Sequence, residues 1–181
     1  MEKRLIRFLL SRRGMAFDLL LVRLFGRSLL NALMGRRQGF APQPMLILST
    51  KGARSGQWRE AALPYFQLGE VFIVVGSKGG APDDPAWVTN LRRNPDAELS
   101  IRGKRCQVTA HIAAGDERAA LWDLVTRAMA VYTRYQKRTE REIPVVVFED
   151  RARGAAKRLA ALGGGVPDLV VPPRRRFPLE P

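Results

Sequence analysis

Two glycine-rich loops carry the cations most able to bind an anion. The first loop is 51-KGARSGQWR-59 and the second is 76-GSKGGAP-82. Their cations are Lys51, Arg54, Arg59 and Lys78. Arginine offers a planar fork to phosphate or carboxylate, and lysine offers a mobile point charge. Glycines at 52 and 56 let the first loop turn its backbone N–H groups inward, as in an anion nest. The pair of loops therefore predicts a site for an anionic ligand.

Each loop directly follows an apolar run typical of a β-strand, 45-MLILST-50 in one case and 71-VFIVV-75 in the other. Further β-like runs cover roughly 58–66, 97–102, 105–113 and 143–149. Tight turns at 68–70 and 102–104 indicate antiparallel hairpins. These strands are expected to place the two loops at corresponding ends of one sheet.

Helical patterns supply the remaining walls. Residues 85–95 predict a short helix across the mouth of the sheet, because Pro85 suits a first helical turn and Asn94-Pro95 ends it. Asp116 is expected to cap a helix over 117–138 that carries Tyr132 and Tyr135. The order of elements predicts an α+β fold, a small and mostly antiparallel β-barrel with flanking helices.

Residues 1–37 predict one or two helices that bend or restart at Gly14 and Gly26. The apolar residues on one side of the projected helix are Ile6, Leu10, Phe17, Leu21 and Leu24. Two interpretations stay open. The segment is either a basic amphipathic helix on anionic lipid or a helix packed on its own domain or on a dimer mate.

The net charge of +14 is concentrated at the ends of the chain. Residues 1–40 have a net charge of +7 and residues 151–181 of +5, against +2 for residues 41–150. Three regions are expected: a basic amphipathic extension (1–40), a ligand-binding domain (41–150) and a basic tail (151–181). A nucleic-acid-binding domain usually carries its basic patch on the folded body, so this distribution disfavours nucleic acid and fits an anionic membrane.

Other kinds of chemistry find little support in the sequence. The single cysteine, Cys106, excludes an internal disulfide and favours a cytoplasmic setting. The single histidine, His111, leaves no histidine pair to bind a metal. No serine has an evident base. An enzyme on this scaffold would take its reactivity from a cofactor.

Three runs of the sequence resemble the deazaflavin-dependent nitroreductase family over about residues 44–150. They are 46-LILSTKGARSGQWR-59, 76-GSKGGAPDDPAWVTNLRRNP-95 and 132-YTRYQKRTEREIPVVVFE-149. The resemblance implies a split β-barrel of the FMN-binding type, coenzyme F420 as cofactor, and hydride transfer to a quinone, nitro or similar conjugated acceptor. Some members are attached to the cytoplasmic membrane face by a basic N-terminal segment. A homodimer paired through a sheet face is compatible with this fold.

The resemblance also implies roles for particular residues. In the first loop Arg54, Ser55 and Arg59 match the residues that hold the acidic tail of the cofactor. Leu63 and Pro64 match backbone positions along its ring, and Ser77 and Lys78 match the second loop. Trp87 and Asn90 match residues that close over the cofactor, and Tyr132 and Tyr135 match pocket tyrosines that could bond the acceptor oxygen.

Three positions depart from the family pattern. Ala53 stands where a cation is usual, Trp58 stands where a proline is usual, and Met129 stands where a nitro-reducing relative has a third tyrosine. The last departure puts bulky nitro acceptors in doubt. Two alternatives remain: an FMN-binding or non-catalytic flavin-carrier barrel, and a membrane- or nucleic-acid-associated binding protein with a vestigial cradle.

Overall fold

The structure is a computed structural model that describes residues 2–151, so the predicted basic tail beyond Arg151 lies outside the described residues. The helices are α1 (Glu2–Leu9), α2 (Arg12–Phe25), α3 (Leu29–Gln38), α4 (Ala86–Arg93), α5 (Gly115–Ala128) and α6 (Val131–Gln136). The strands are β1 (Met45–Lys51), β2 (Trp58–Pro64), β3 (Phe66–Leu68), β4 (Val71–Val75), β5 (Asp96–Ile101), β6 (Lys104–Ile112) and β7 (Val145–Asp150).

The seven strands form one antiparallel sheet in the order β2-β1-β5-β6-β7-β4-β3. Its two edge strands, β2 and β3, are consecutive along the chain and are separated only by Tyr65. The two edges must therefore approach each other, and the sheet curls into a barrel. The predicted antiparallel barrel is confirmed, and the predicted strand 58–66 divides in two at this bend.

Strand β1 is buried on both faces because the sheet is covered on both sides. Leu46 and Leu48 point into the barrel, whereas Met45 and Ile47 pack against Val22 of α2. Helix α4 closes one end of the barrel with its apolar face. The buried residues that join α4 to the barrel interior are Trp87, Val88, Leu91, Val74, Leu99, Val108, Val146 and Phe148. This packing fixes α4 against the strand ends from which the two loops leave.

A second core lies on the outer face of β4 and β7, under α5 and α6. Ile73, Val145 and Val147 pack there against Val125 and Tyr132. Successive side chains of β4 and β7 thus pack alternately into the barrel interior and into the second core, because they point to opposite faces of the sheet. The second core anchors the helix that carries the tyrosines.

Several local predictions are confirmed. Helix α4 begins after Pro85 and ends before Asn94. The turns at 68–70 and 102–104 close antiparallel hairpins, β3 with β4 and β5 with β6. At the second turn Arg102 and Gly103 both have positive φ, as a tight hairpin turn requires.

The predicted single helix over 117–138 is wrong. The chain breaks at Met129, which has φ −145° and ψ 91°, and α5 and α6 lie on either side. Asp116 does not cap α5, since the helix begins at Gly115 after Ala114 and has no side-chain cap. The interruption changes the helical phase before Val131, and the tertiary packing outweighs the continuous helical periodicity of the sequence.

The N-terminal segment forms three helices instead of one or two. Gly26 ends α2 with φ 65°, as predicted. Gly14 is not a break: it lies within α2, and a Cβ there would be 2.0 Å from the carbonyl oxygen of Phe8. The actual break is at Ser11, whose side chain caps α2. The missing Cβ of Gly14 allows α1 and α2 to cross closely.

The apolar face predicted for this segment is only partly buried. The buried residues of α2 are Gly14, Asp18 and Val22, at intervals of four. The large apolar side chains that stay exposed on α1, α2 and the turn between them are Leu5, Phe8, Leu10, Met15, Phe17, Leu20, Leu24 and Phe25. Among residues 2–151, no helix is both long enough and apolar enough to cross a bilayer.

Candidate active site

Two adjacent cavities open at the end of the barrel that α4 covers, and Trp87 lines both. The tyrosine cavity, about 440 Å³, is bounded by Tyr132 and Tyr135, the end of β2, the second loop and α3. The arginine cavity, about 530 Å³, is bounded by the first loop and α4. Both volumes fall in the range of ligand sites, about 300–1,000 Å³. Trp87 is only 7% exposed, so the shared wall is fixed by the core.

The first loop presents Arg54, Ser55 and Arg59 to the arginine cavity. Arg59 donates to Oε1 of Gln57 at 3.2 Å, whereas Arg54 has no hydrogen-bond or ion-pair partner within residues 2–151. The loop therefore offers a free guanidinium and a second one held by a neutral amide. Such a pair is suited to carboxylate or phosphate.

Lys51 does not join these cations. It pairs with Trp58 in the β1–β2 register, and its Nζ lies 5.6 Å from the centre of the indole ring. Strand alternation directs Thr50 to the arginine cavity and Lys51 away from it. The prediction that Lys51 belongs to the anion site is wrong.

The backbone of the first loop is closed differently from the predicted nest. The N–H of Gly52 donates to the carbonyl of Gln57, and the N–H of Gly56 donates to the carbonyl of Gly52, both at 2.8 Å. These two glycine N–H groups are therefore used within the loop. Asn90 fastens the loop to α4, because its Oδ1 accepts from Ala53 N at 2.9 Å and its Nδ2 donates to Thr50 Oγ1 at 3.0 Å.

The second loop holds Ser77 and Lys78 at the tyrosine cavity in an unusual backbone conformation. Lys78, Gly79 and Gly80 all have positive φ, of 46°, 68° and 83°. Positive φ is uncommon for lysine and costs conformational energy. Lys78 has no hydrogen-bond or ion-pair partner in the described part of the chain, so its ammonium is available to a ligand.

Arg141 holds the second loop in place. Its guanidinium donates to the carbonyls of Gly76, Ser77 and Ala81 and to Oδ1 of Asp84, at 2.6–3.1 Å. Arg141 and Asp84 are only 15% and 16% exposed at their side chains. Sequence reasoning missed Arg141, because it lies in the charged run 134–142, which resembles a solvated surface. Asp84 accepts from both Arg141 and Arg92.

The two tyrosines differ in what their hydroxyl groups contact. Tyr135 donates to Oε1 of Gln38 at 2.6 Å. The hydroxyl of Tyr132 has no partner within residues 2–151, although the residue is only 3% exposed. Burial raises the pKa of Tyr132 well above its ordinary value, with the neighbouring Tyr135 adding to the effect. Burial also raises the pKa of Tyr135, against the lowering effect of the nearby Arg138 and Arg134. Both phenols are therefore protonated at neutral pH.

Helix α3 forms another wall of the tyrosine cavity, a contribution that sequence reasoning missed. Leu30, Met34 and Gln38 line the cavity from α3. Buried Asp18 orients this helix by accepting from the N–H groups of Leu29 and Leu30 at its first turn. Met129 and Met34 both reach the cavity and give it adaptable apolar surface.

Apart from Lys51, the structure brings the predicted site residues to one of the two cavities. Arg54, Ser55, Arg59, Trp87 and Asn90 line the arginine cavity. Leu63, Pro64, Ser77, Lys78, Trp87, Tyr132 and Tyr135 line the tyrosine cavity. No cluster of potential metal ligands occurs among the residues that the structure describes. The combined site is an apolar, tyrosine-bearing cavity joined at one indole to a cationic cavity.

Known proteins resemble this chain over much of its length. The family of F420H2-dependent quinone reductases matches residues 25–150. An F420H2-dependent quinone reductase of Mycobacterium tuberculosis is 44% identical over 124 residues, which are 67% of this chain and 83% of that protein.

Two solved structures are also similar to this chain. An F420H2-dependent reductase is 34% identical, with a TM-score of 0.54 over 59% of this chain and 94% of that chain. A structure described as a domain-swapped dimer, also 34% identical, has a TM-score of 0.54 over 59% of this chain and 80% of the other. The expected split-barrel fold is thereby confirmed.

Proposed function

The chain belongs to the F420H2-dependent quinone reductase family and is an oxidoreductase that uses coenzyme F420; on this premise we propose that the two cavities together bind the cofactor and a quinone acceptor. The observation that carries the proposal is the junction of the cavities at Trp87, with cations on one side and apolar surface on the other. A ligand with a flat ring and an acidic tail matches both halves.

The residues present fit this cofactor. Arg54 is without a partner in the described residues, and together with Arg59 and Ser55 it would hold the acidic tail. Leu63 and Pro64 would line the ring, and Trp87 would separate ring from tail. Lys78, which is also without a partner there, would bind an anionic group at the junction. The FMN alternative is not favoured, since the family is defined by F420.

When bound, reduced F420 supplies the hydride for the acceptor. The protein's own groups bind and orient the acceptor. Tyr132 and Ser77 offer hydroxyl donors to an acceptor oxygen on which negative charge develops. Because burial raises the pKa of Tyr132, this phenol remains a hydrogen-bond donor throughout the physiological range. The proton that completes reduction comes from solvent or from a tyrosine.

The acceptor we propose is a quinone and not a bulky nitro compound. The lining from Leu30, Met34 and Met129 is apolar, which suits a lipid-soluble conjugated ring. Met129 is 6% exposed and leaves no third hydroxyl where a nitro-reducing relative has tyrosine. The predicted domain 41–150 would thus bind the cofactor, with α3 of the N-terminal segment completing the acceptor side.

We also propose that α1 and α2 lie on anionic lipid as a peripheral attachment to the inner face of the cytoplasmic membrane. The support is the eight large apolar side chains that these helices and their connecting turn leave exposed, within a segment of net charge +7. Flotation with anionic and neutral vesicles tests this. Leu24→Gln combined with Phe25→Gln should reduce flotation with anionic vesicles, and unchanged flotation would remove α2 from the membrane contact.

Equilibrium titration with F420, with FMN as the competitor, tests the cofactor assignment. We expect binding of F420 in the micromolar range and none of FMN there. Arg54→Ala and Lys78→Ala should each weaken F420 binding about tenfold or more, since each removes a charged contact. Lys51→Ala is the matched control, because Lys51 packs on Trp58 outside the cavity, and it should leave the affinity unchanged. Binding of FMN or haem in place of F420 would refute the assignment.

A further inference from the structure

Gln38, the last residue of α3, contacts the tyrosine-bearing helix α6 through two separate groups. Its side-chain Oε1 accepts from the Tyr135 hydroxyl at 2.6 Å, and its main-chain carbonyl accepts from Arg134 at 2.5 Å. Gln38 and Tyr135 also line the same cavity. The contact therefore joins the acceptor wall formed by α3 to a residue that faces the acceptor.

The direction of this hydrogen bond limits what Tyr135 can do. The amide nitrogen of Gln38 lies 3.9 Å from the sulfur of Met34, which leaves the amide oxygen to face Tyr135. A phenol has one hydrogen to donate, and its oxygen can still accept. With that hydrogen committed to Gln38, Tyr135 can offer the cavity only its oxygen.

Tyr132 is in the opposite situation. Its ring is held edge-on between Phe66 and Tyr135, with ring centres 6.0 and 6.1 Å away. Its hydroxyl has no partner among the described residues, although the side chain is almost fully buried. The hydroxyl oxygen itself keeps access to the cavity, because it is not one of the fully buried polar atoms that lack a partner, so it can donate to a ligand or to water there. Tyr132 thus has the hydrogen that Tyr135 lacks.

We infer that Gln38 is a positioning residue that accepts the hydroxyl hydrogen of Tyr135, so that Tyr132 is the tyrosine that donates a hydrogen bond to the acceptor oxygen. Tyr135 is left to accept a hydrogen bond from the reduced product. The inference rests on the proposed function for its substrate, and it adds a division of roles between two tyrosines that their spacing alone does not distinguish.

The first test needs no cofactor. The chain has three tyrosines, so selective ¹³C labelling of the phenol carbon gives a spectrum with few signals. Gln38→Leu removes the acceptor at nearly constant size and should shift the Tyr135 signal, identified by its loss in Tyr135→Phe. Gln38→Glu keeps an acceptor oxygen and should retain a hydrogen-bonded Tyr135. Gln107→Leu, on β6 away from both cavities, is the matched control and should shift no tyrosine signal.

The second test is a double-mutant cycle, with kcat/KM measured for a water-soluble naphthoquinone and reduced F420. Tyr132→Phe should lower kcat/KM about tenfold or more, because it removes the donor to the developing charge. Tyr135→Phe and Gln38→Leu should each have a smaller effect. The double variant of Gln38→Leu and Tyr135→Phe should lose no more of kcat/KM than Tyr135→Phe alone. In the double variant of Gln38→Leu and Tyr132→Phe, the two fold-losses in kcat/KM should multiply. The Gln38 carbonyl that holds Arg134 is unchanged in every variant, so these effects report the side chain.

The outcomes separate the inference from the function on which it rests. Two results in an active enzyme would overturn the inference. One is that the fold-losses in kcat/KM of Gln38→Leu and Tyr135→Phe multiply. The other is that Tyr135→Phe lowers kcat/KM as much as Tyr132→Phe does. An unshifted Tyr135 signal in Gln38→Leu would overturn it without any turnover. If Gln38→Leu fails to fold, Gln38→Asn, one methylene too short to reach Tyr135, replaces it in both tests. Wild-type protein without F420-dependent turnover would overturn the proposed function and the donor role of Tyr132, while the Tyr135 signal still reports the Gln38 contact.

Discussion

Asn90 accepts a hydrogen bond from the backbone N–H of Ala53 at 2.9 Å, and this contact makes the shape of the first loop depend on α4. The group that matters at position 53 is thus its main-chain N–H, which alanine supplies as well as a lysine would. The loss of a cation at this position reduces the charge around the arginine cavity but leaves the closure of the loop intact. Asn90 is 7% exposed, and its amide nitrogen is engaged by Thr50.

Replacing Asn90 should therefore affect ligand binding through the loop. Asn90→Leu leaves the Ala53 N–H and the Thr50 hydroxyl without their partner, and we expect the free energy of unfolding to fall by about 2–4 kcal/mol. The affinity for F420 should fall with it, as measured by titration at a temperature where the variant is folded. Asn90→Asp keeps the acceptor for Ala53 and should retain more of the affinity. Equal affinity in both variants and in the wild type would show that the loop does not depend on this contact.

Gly80 and Gly79 form a matched pair for testing how closely the second loop approaches α6. Both have positive φ, so alanine at either position costs about 1–2 kcal/mol in backbone strain. At Gly80 a Cβ would also lie 2.6 Å from the carbonyl oxygen of Tyr135, whereas at Gly79 nothing lies within 4 Å. We expect Gly80→Ala to be the more destabilising in urea unfolding and to lower quinone turnover. Indistinguishable variants would mean that α6 yields to the added methyl group.

The barrel and its covering helix were predictable because their signals are local. Apolar runs separated by tight turns define the hairpins, and Pro85 and Asn94-Pro95 bracket α4. The loops follow from the ends of those strands, so the predicted site residues meet around the cavities. These are properties of neighbouring residues, which a sequence displays directly.

The features that prediction missed depend on distant contacts. Nothing between residues 117 and 138 breaks the helical pattern, yet the chain breaks at Met129 to fit the core beneath α5 and α6. Gln38 and Tyr135 are 97 positions apart, and a glutamine at a helix end looks solvated. Arg141 is likewise one of several charged residues in its run. Only tertiary packing distinguishes these residues from a polar surface.

Arg141 is expected to control the second loop without touching the ligand. Arg141→Lys cannot reproduce the fork that reaches Gly76, Ser77, Ala81 and Asp84, because lysine is a single point donor. We expect a loss of about 2–3 kcal/mol in unfolding free energy and a weaker affinity for F420. Arg127→Lys, in an exposed pair with Asp123, is the control and should change stability by less than about 0.5 kcal/mol. A loop that binds F420 normally in Arg141→Lys would contradict this role.

Alkaline pH should destabilise the protein through its buried tyrosines. Burial raises the pKa of Tyr65, Tyr132 and Tyr135 above the ordinary value of 10.0, and the shift is large for Tyr132. Above pH 10.0 the unfolded chain loses protons that the native state keeps. The native state then binds more protons than the unfolded chain, so the free energy of unfolding falls as pH rises. Well below pH 10.0 the tyrosines are protonated in both states and do not make the free energy of unfolding depend on pH.

Tyr132→Phe should remove the largest share of this alkaline loss. One tyrosine that stays protonated only in the native state contributes a slope of about 1.4 kcal/mol per pH unit. Urea unfolding of wild type and variant between pH 8 and pH 11 measures the difference. The difference in unfolding free energy between variant and wild type should be constant at the lower pH values and should shift in favour of the variant above the tyrosine value of 10.0. Curves that stay parallel to pH 11 would mean that the Tyr132 hydroxyl ionises in the native state as readily as in the unfolded chain, which would contradict its burial beside the cavity.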